Sequence, residues 1–564
     1  MIRQLFRRKP ISEPPARGLR RILSIWDLTA IGVAAIIGAG IFSTVGEATQ
    51  QAGPSVVLVF VVGAFVAGLS ALSYAEMASV VPQAGSAYTY TYVIFGELTA
   101  WLIGWFLILE YAVGNIAVAI SWSGYFVALL RSLGLSLPLY LTQDPLSLWQ
   151  QAQNYLHHAD PASYEAYMAW ESAPRVLGIP LVLNLPALAI VILITALAYI
   201  GIRESRLANN LFVILKVGTI LFILALGAFF VNPDQWSPFM PNGFSGTMRA
   251  IGAVFFAYIG FDALSTTAEE ARHPKRDLPL AMLLSLTLCT LLYVGIALVL
   301  TGVVPYQELG VADPLAYLFT KLPISEGFRR ALEGMVAVSA VIAMASVLLV
   351  FQIGQPRIWF AMSQDGLLPP ALGKIHPRFG TPHIATLLTG AVVAIPLFFS
   401  SLSTVVDMTS MGTLMAFAIV SAGVTYLHYA PPPAYAPRFR VPYIPSRWLF
   451  PSMVLAGFLW TWHLNPKALL RLVDFSQGGT LWHYRLLVLF VLIATFFALR
   501  YNVSLLPLLG TLSPLYLIIE LGQENWIRLL LWVGAGLVLY FAYGYWHSHL
   551  RYASSSSTSL PESA

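Results

Sequence analysis

IIGAGIF, at residues 36–42, stands in the middle of an apolar segment that extends from 25 to 50. Its two glycines, Gly38 and Gly40, lower the cost of leaving helical geometry, because glycine adopts backbone conformations that other residues avoid. A second apolar segment, 245–269, contains FFAYIGFDAL at 255–264, with Gly260 shortly before an acidic residue. The two stretches predict a pair of membrane helices that are each interrupted near the middle of the bilayer.

The composition around these stretches indicates an integral membrane protein. Of the 564 residues, 58% are hydrophobic and 10% are charged, and the mean hydropathy is +0.73. Soluble domains are about 45–50% apolar and about 25% charged, so the exterior of this chain has to face lipid. The apolar segments are about 20 residues long or longer, which suits helices, since strands of membrane barrels need only about 9–11 residues. We therefore expect an all-α integral membrane fold.

Apolar segments along the chain predict about fourteen transmembrane helices. An even number returns the C-terminus to the side of the N-terminus, which is basic and has no secretory signal. Lys and Arg are concentrated in the segments that this arrangement assigns to the cytoplasm, as the positive-inside rule expects. The predicted spans are 25–50, 54–80, 97–130, 183–202, 207–231, 245–269, 278–303, 328–362, 382–402, 406–429, 448–464, 484–500, 503–520 and 526–547.

The two interrupted segments are the first and the sixth in this order, so their helices run in opposite directions. Such a pair indicates two five-helix halves of inverted topology, with a binding site at their junction. The predicted organisation is a cytoplasmic N-terminal tail (1–24), a ten-helix inverted-repeat transport core (25–430), a proline-rich cytoplasmic linker (431–447), additional C-terminal transmembrane helices (448–550) and a disordered tail (551–564).

The interrupted helices carry the chemistry expected of a site for a zwitterion. An unwound turn frees amide groups at the start of the following half-helix and carbonyl groups at the end of the preceding one. The amides suit a carboxylate and the carbonyls suit an ammonium group, and an amino acid has both. Close helix packing at small residues is the alternative interpretation of the glycines. Aromatic walls for a side chain are offered by Phe255, Phe256, Tyr258 and Phe261.

Three ionisable residues lie deep in apolar segments, where such groups are costly and usually functional. A buried lysine can alternate between ammonium and neutral amine, and Lys216 can stand where a sodium ion would otherwise sit; a static cap on backbone carbonyls is its alternative role. Glu110 is predicted to bind a substrate ammonium, pair with a basic group or relay a proton, with a structural hydrogen bond as the alternative. Asp262 must be paired or line a wet cavity, which makes it a candidate for gating or a polar site.

No cofactor or metal site is predicted. Cys289 is the only cysteine, which excludes an internal disulfide and a cysteine-based metal site, and the ten histidines form no cluster at metal-ligand spacing. The formal net charge of +5 follows from positive-inside topology and needs no nucleic acid to explain it. The expected partners are the lipid bilayer and a small-molecule substrate, with protons rather than sodium as the coupling ion.

Several long motifs resemble those of the cationic amino acid transporter family, within the amino acid–polyamine–organocation superfamily. They are IIGAGIF, PQAGSAYTYTY, LILEYAVG, SWSGYF, ESRLANNLFVILKVG, FFAYIGFDALSTTAEEARHPKRDLPLAM, QPRIWFAMSQDGLLP and the C-terminal LLPLLGTLSPLYLIIELGQENWIRLLLWVGAGLVLYFAYGYWHS. The resemblance covers nearly the whole chain and implies a leucine-transporter-like five-plus-five inverted-repeat fold with broken helices 1 and 6. It implies a proton-coupling role for Lys216 and a substrate site at Ile36, Ile37, Gly38, Ala39, Gly40, Glu110, Phe255, Phe256, Tyr258 and Ile259.

Together these features predict a secondary active transporter, not an enzyme, that moves L-amino acids across the cell membrane by proton symport through alternating access. Cationic and neutral substrates both stay open. An exchanger of amino acids or polyamines on the same fold is the first alternative, and counter-substrate dependence of uptake would distinguish it. A non-transporting amino acid sensor is the second alternative, and a sensor would favour a sizeable cytoplasmic output domain.

Overall fold

A computed structural model of this chain describes residues 5–10, 23–83, 85–158, 163–176, 178–201, 206–311, 313–433, 435–464 and 482–551. Helices dominate these residues, and their only strands form a two-residue antiparallel pair, β1 (Arg175–Val176) and β2 (Ile179–Pro180). Most of the predicted N-terminal tail and of the predicted disordered tail lies outside the described residues. The expected helical fold is confirmed at this level.

The first half of the core begins with a helix that stops at the predicted break. Ser24 caps α1 (Ile25–Ile36) through reciprocal hydrogen bonds with Asp27. The helix ends where Ile37 turns to an extended backbone, and the chain resumes as a π-turn, Gly40–Thr44. The helices that follow are α2 (Val45–Ala52), α3 (Val56–Val80), α4 (Ser86–Ile94), α5 (Glu97–Ile108), α6 (Gly114–Ser132), α7 (Pro145–His158), α8 (Tyr164–Ser172), α9 (Leu185–Ile200) and α10 (Arg206–Ala228).

The second half contains the other predicted break. The short helices α11 (Gly243–Arg249) and α12 (Ile251–Phe256) lead into an irregular turn at 257–260, and 3-10 turns over Phe261–Glu270 follow it. The remaining helices are α13 (Pro274–Val303), α14 (Pro314–Tyr317), α15 (Glu326–Gln364), α16 (His383–Ala394), α17 (Leu402–Tyr429), α18 (Ser446–Leu464), α19 (Trp482–Tyr501), α20 (Leu505–Glu520), α21 (Gln523–Leu539) and α22 (Tyr545–His547).

The apolar helices have the lengths and surfaces that a bilayer requires. Nine helical stretches within the described residues are long and apolar enough to cross a membrane, and four shorter apolar helices accompany them. Leucines such as Leu291 and Leu531 are 68% and 69% exposed, as expected for side chains that face lipid. A helix lies at each predicted crossing, while the number of fourteen crossings and the inverted repeat stay predictions.

Long helices enclose the two interrupted ones. α13 packs against both α1 and α3, and α15 packs against α6, α9 and α10. α17 contacts α3 and also α20, which joins the C-terminal helices to the core. The interrupted stretches are therefore buried in protein, where irregular backbone at membrane depth is tolerated because lipid cannot reach it.

Residues 5–10 lie on the face of the molecule at which α15 and α17 end, which we call the N-terminal face. Lys9 Nζ lies 2.8 Å from a carboxylate oxygen of Asp365, just after α15, and Arg8 donates a hydrogen bond of 3.2 Å to the Tyr426 hydroxyl near the end of α17. The predicted linker is held on the same face, because the buried carboxylate of Glu76 accepts a hydrogen bond of 2.6 Å from the backbone amide of Val441. These contacts fix the N-terminal segment and the linker to the ends of the core helices.

Candidate functional site

The break in the first interrupted helix is supported by side chains from neighbouring helices. The Tyr293 hydroxyl donates to the carbonyl of Ile36 at 2.9 Å. Lys216 Nζ donates to the carbonyls of Ala34 and Ile37 at 2.9 and 3.1 Å. These donors satisfy carbonyl groups that lose their intrahelical partners where the helix stops. The break is thus part of the packed core and not a frayed end.

The second break touches the first, backbone to backbone. Gly260 has a φ of +119°, a region that favours glycine. A Cβ on Gly260 would lie 2.9 Å from the backbone of Ala35, and a Cβ on Gly40 would lie 2.3 Å from the Cα of Ala257. Only glycine fits at these two contacts, so the residues that interrupt the helices also allow the interruptions to meet.

Peptide groups at both breaks have no hydrogen-bond partner among the described residues. On the first helix these groups are the amides of Gly38 and Ala39. On the second helix they are the carbonyls of Ala257, Tyr258 and Ile259. Amides at the start of one half-helix and carbonyls at the end of another present opposite partial charges to the space between them. The arrangement suits a ligand with a negative and a positive end.

A small cavity lies between the two breaks. Its volume is about 10 Å³, which is about the space that one water molecule needs. An amino acid can enter only if the walls separate, so binding at this place requires a conformational change. The cavity is lined by Ala35, Ile36, Gly38, Ala39, Gly40, Val118, Phe256, Ile259, Val347 and Phe351.

Six of the ten predicted substrate residues line this cavity, and the other four do not. Ile37 is fully buried, and its carbonyl is bonded to Lys216. Phe255 packs against an aromatic ring of α17, and the Tyr258 hydroxyl points away from the cavity to donate to a carbonyl of α3 at 2.9 Å. Glu110 is also buried and does not line the cavity. A direct contact between these four residues and a substrate stays a prediction.

Lys216 caps backbone carbonyls, which was one of the two roles considered for it from the sequence. Its side chain is 0% exposed, and its ammonium group holds the last turn of α1 at the edge of the break. Hydrogen bonds from a charged donor are about twice as strong as neutral ones. A protonated Lys216 would therefore hold the end of α1 more tightly than a neutral one would, and its proton-coupling role stays a prediction.

Asp262 and Glu110 form a second buried polar group. Both side chains are 0% exposed and lie beside each other, and the Tyr111 hydroxyl donates to Asp262 Oδ2 at 2.9 Å. The other Asp262 oxygen and both Glu110 oxygens have no hydrogen-bond partner among the described residues. Two adjacent buried carboxylates repel each other, and one shared proton removes the repulsion and supplies the missing hydrogen bond. The pair is thus a candidate site for one proton, and this role stays a prediction.

Besides Ala35, which directly precedes the predicted Ile36, three residues of the cavity wall were not predicted: Val118, Val347 and Phe351. They are apolar residues in the apolar helices α6 and α15, and neither charge nor spacing distinguishes them from their neighbours. Their proximity to the break appears only when the helices pack, since a Cβ on Gly38 would lie 2.7 Å from Cγ2 of Val347. No signal in the sequence could have found them.

An ion pair joins two elements on the N-terminal face beside the second break. The guanidinium of Arg357, on α15, lies 3.0 Å from a carboxylate oxygen of Glu270 and 3.3 Å from the carbonyl of Thr266. The Arg357 and Glu270 side chains are 29% and 24% exposed, respectively. The contact joins α15 to the chain that follows the second break, so an opening between these elements has to break it.

A helical membrane protein with two interrupted helices, peptide groups free for a ligand and a closed cavity between them has the build of a permease for small solutes. Within the part of the chain that the structure describes, no three His, Cys, Asp or Glu side chains are grouped to hold a metal.

Comparison with known proteins identifies the family. The model of the amino acid permease family matches residues 23–493, and the model of the C-terminus of these permeases matches residues 502–548. The chain belongs to the amino acid permease family of the amino acid–polyamine–organocation superfamily. The resemblance inferred from the motifs is confirmed, as is the prediction that the protein is not an enzyme.

Relatives from distant organisms align over most of the chain. The branched-chain amino acid permease BcaP of Bacillus subtilis (strain 168) is 36% identical over 97% of this chain and 99% of its own length. The methylthioribose transporter of the same organism is 38% identical over 85% of this chain and 97% of its own. Cationic amino acid transporter 4 of Homo sapiens is 31% identical over 97% of this chain and 91% of its own.

Proposed function

We propose that this permease moves L-amino acids by proton symport through alternating access. The observation that carries the proposal is the pairing of the free amides at Gly38 and Ala39 with the free carbonyls at 257–259, because an α-amino acid has one group for each set. Rocking of one helix group against another would open the closed cavity to each side of the membrane in turn.

Neutral amino acids with apolar side chains are the proposed substrates. Val118, Phe256, Ile259, Val347 and Phe351 form an apolar wall, and no charged side chain lines the cavity. A cationic side chain would be buried there without a counter-charge, which is costly. The relative BcaP is named for branched-chain amino acids, and these would fit such a wall. Other relatives are named for cationic amino acids.

Lys216 is the proposed coupling group. When its amine carries a proton, the charged donor holds the carbonyls of Ala34 and Ile37 and keeps the end of α1 in place. When the proton leaves, the hydrogen bonds weaken and α1 can move. The same carbonyl oxygens would be needed to bind a sodium ion, so we expect no sodium requirement. Asp262 and Glu110 are proposed as a second, buried proton site.

The proposed location is the cell membrane, with both termini in the cytoplasm. Arg7, Arg8 and Lys9 precede the first helix, and Arg438 and Arg440 stand in the linker on the same face. Basic residues next to short membrane loops favour the cytoplasmic side. A reporter that is active only in the cytoplasm should be active when it is fused to either terminus.

Uptake by the purified protein in liposomes tests the proposal. We expect labelled leucine, isoleucine and valine to accumulate when the outside is more acidic, and not when a protonophore collapses the gradient. Replacement of sodium by choline should leave uptake unchanged, and excess arginine or methylthioribose should compete weakly. Uptake that required sodium would contradict proton coupling. Uptake that required a preloaded amino acid and ignored the pH gradient would identify an exchanger instead.

A further inference from the structure

A second and larger cleft opens on the outside of the molecule between α9 and α16. Its volume is about 550 Å³, and it shares no lining residue with the cavity at the helix breaks. Ile192 and Ile200 on α9 and Leu387 on α16 are 59%, 52% and 54% exposed, respectively, and all three line it. In a membrane helix such side chains face lipid, so the cleft is open to the hydrocarbon of the bilayer.

The floor of the cleft has no hydrogen bond to offer. The Thr195 hydroxyl donates to the carbonyl of Val191 at 2.7 Å and accepts from the side-chain amide of Gln352 at 3.0 Å. A Cβ on Gly390 would lie 2.6 Å from Cγ2 of Thr195, so the two helices already touch beneath the cleft. A hydrocarbon chain fits this surface because it needs dispersion contacts and no polar partner.

The cleft ends in a cluster of aromatic rings on the N-terminal face. Tyr199 lines the end of the cleft, and the Thr381 hydroxyl donates to its carbonyl at 2.7 Å. The Tyr199 ring packs against Phe379 and His383, with centroid separations of 5.9 and 6.2 Å. Rings with an apolar body and a polar edge are typical of the depth at which lipid headgroups begin.

Unpaired positive charge stands next to this cluster. The Arg378 guanidinium lies 5.5 Å from the centroid of the Phe379 ring, and both Arg378 and Lys374 are exposed. Neither has an ion-pair partner among the described residues. Lys374 stands four residues before Arg378 in the same loop. The end of the cleft thus has positive charge available to an anion.

We propose that this cleft is a binding site for an anionic phospholipid, with an acyl chain between α9 and α16 and the phosphate beside Arg378 and Lys374. A basic residue near a membrane surface attracts an anionic headgroup by about 1 kcal/mol. The apolar floor suits the chain and the charged rim suits the headgroup. A partner helix would fill the floor but leave the two cations without a counter-charge.

Native mass spectrometry of the delipidated, purified protein tests the site. We titrate it with dioleoylphosphatidylglycerol or dioleoylphosphatidylcholine and compare the fraction of protein that keeps one lipid. The wild type should keep the anionic lipid more than the zwitterionic one. Arg378→Gln should lower retention of phosphatidylglycerol by about fivefold. Ala391→Trp, which fills the cleft from an exposed position on its lining, should lower it at least as much.

Ala225→Trp is the matched control, because Ala225 is an exposed residue of α10 that does not line the cleft. It should leave retention of both lipids unchanged. Equal retention of the two lipids by the wild type, or equal effects of the two tryptophans, would show nonspecific lipid contact only and overturn the proposal. A small membrane protein that stayed bound and blocked phosphatidylglycerol would overturn it as well. None of these readouts depends on transport.

Discussion

A methyl group added at Gly40 would collide with the main chain of the second interrupted helix. In Gly40→Ala the new Cβ would lie 2.3 Å from the Cα of Ala257, and neither atom can rotate away. Overpacking of this kind costs about 1–3 kcal/mol. We expect lower thermal stability and at least about a tenfold loss of uptake, since 1.4 kcal/mol corresponds to about tenfold. Gly334→Ala is the control, because a Cβ there meets nothing within 4 Å, and equal behaviour of the two variants would contradict the contact.

Two substitutions at Lys216 distinguish the effect of its charge from the effect of proton release. Lys216→Met removes the donor to Ala34 and Ile37 and should abolish acid-stimulated uptake. Lys216→Arg keeps a charged donor but cannot release its proton in a protein. The arginine variant should therefore still bind substrate while its uptake no longer responds to pH. Acid stimulation that survived in Lys216→Met would refute the coupling role.

A substitution at Glu110 tests whether this residue contacts the substrate directly or lies behind the cavity wall. Because its carboxyl faces Asp262 and does not line the cavity, Glu110→Gln should change the affinity for leucine by less than about fivefold, the factor that corresponds to about 1 kcal/mol. The affinity can be measured by the scintillation proximity assay with labelled leucine. A larger loss would restore Glu110 to the substrate site predicted from the sequence.

Asp313 introduces a pH dependence of stability outside the membrane-spanning helices. Burial raises its pKa to about 6, the carboxylate of Glu333 adds to the effect and Arg131 opposes it. The unfolded chain releases this proton near pH 4. The contribution of Asp313 to the free energy of unfolding is therefore largest below about pH 4 and is lost as the pH rises to about 6. In Asp313→Asn the melting temperature should depend less on pH over this window, whereas Asp234→Asn, at an exposed residue, should leave the dependence unchanged. An unchanged slope in Asp313→Asn would contradict the burial of the carboxyl.

At the scale of elements, we expect the ion pair between α15 and the turns after the second break to influence access to the cavity. Arg357→Gln removes the bond to Glu270 and should favour the state that is open on the N-terminal face. A partly exposed pair contributes up to about 1 kcal/mol, so we expect a rise of up to about fivefold in the open population.

Thiol labelling of Ile259→Cys measures this population once Cys289, the only native thiol, has been replaced by Ser. Reagent added on the N-terminal face should react faster in the Arg357→Gln background. The exchanged pair, Arg357→Glu with Glu270→Arg, should return labelling to its original rate. If labelling were the same in all backgrounds, the pair would have no part in closing this face.

At the scale of the whole molecule, local signals could be predicted from the sequence and contacts between helices could not. Gly260 adopts the positive φ that glycine allows, Gly38 and Gly40 directly follow the end of α1, and the structure has both interruptions where they were predicted. Lys216 was identified because a charge in an apolar helix needs a partner. That its partners are two carbonyls of α1 depends on how α10 packs, which no local pattern encodes.

The same limit applies to the contacts at the cavity. The family resemblance implies that Tyr258 lies in the substrate site, but the sequence could not predict that its hydroxyl donates to a carbonyl of α3, and a contact between Tyr258 and substrate stays a prediction. The apolar residues Val347 and Phe351 belong to α15, about three hundred residues from Gly38 in the chain, and only the packed helices place them beside it. Residues that act through their own backbone were therefore easier to predict than residues that act through a shared surface.

The contact between Gly40 and Ala257 also decides how this scaffold can be re-engineered. The obstacle at that point is main chain, so shortening the side chain at 257 cannot make room, and a mutational library gains nothing there. Val118, Val347 and Phe351 line the cavity, and their side chains can be enlarged or trimmed by substitution. Directed evolution toward larger or smaller substrates should therefore select substitutions at these three residues, while Gly40 stays unchanged.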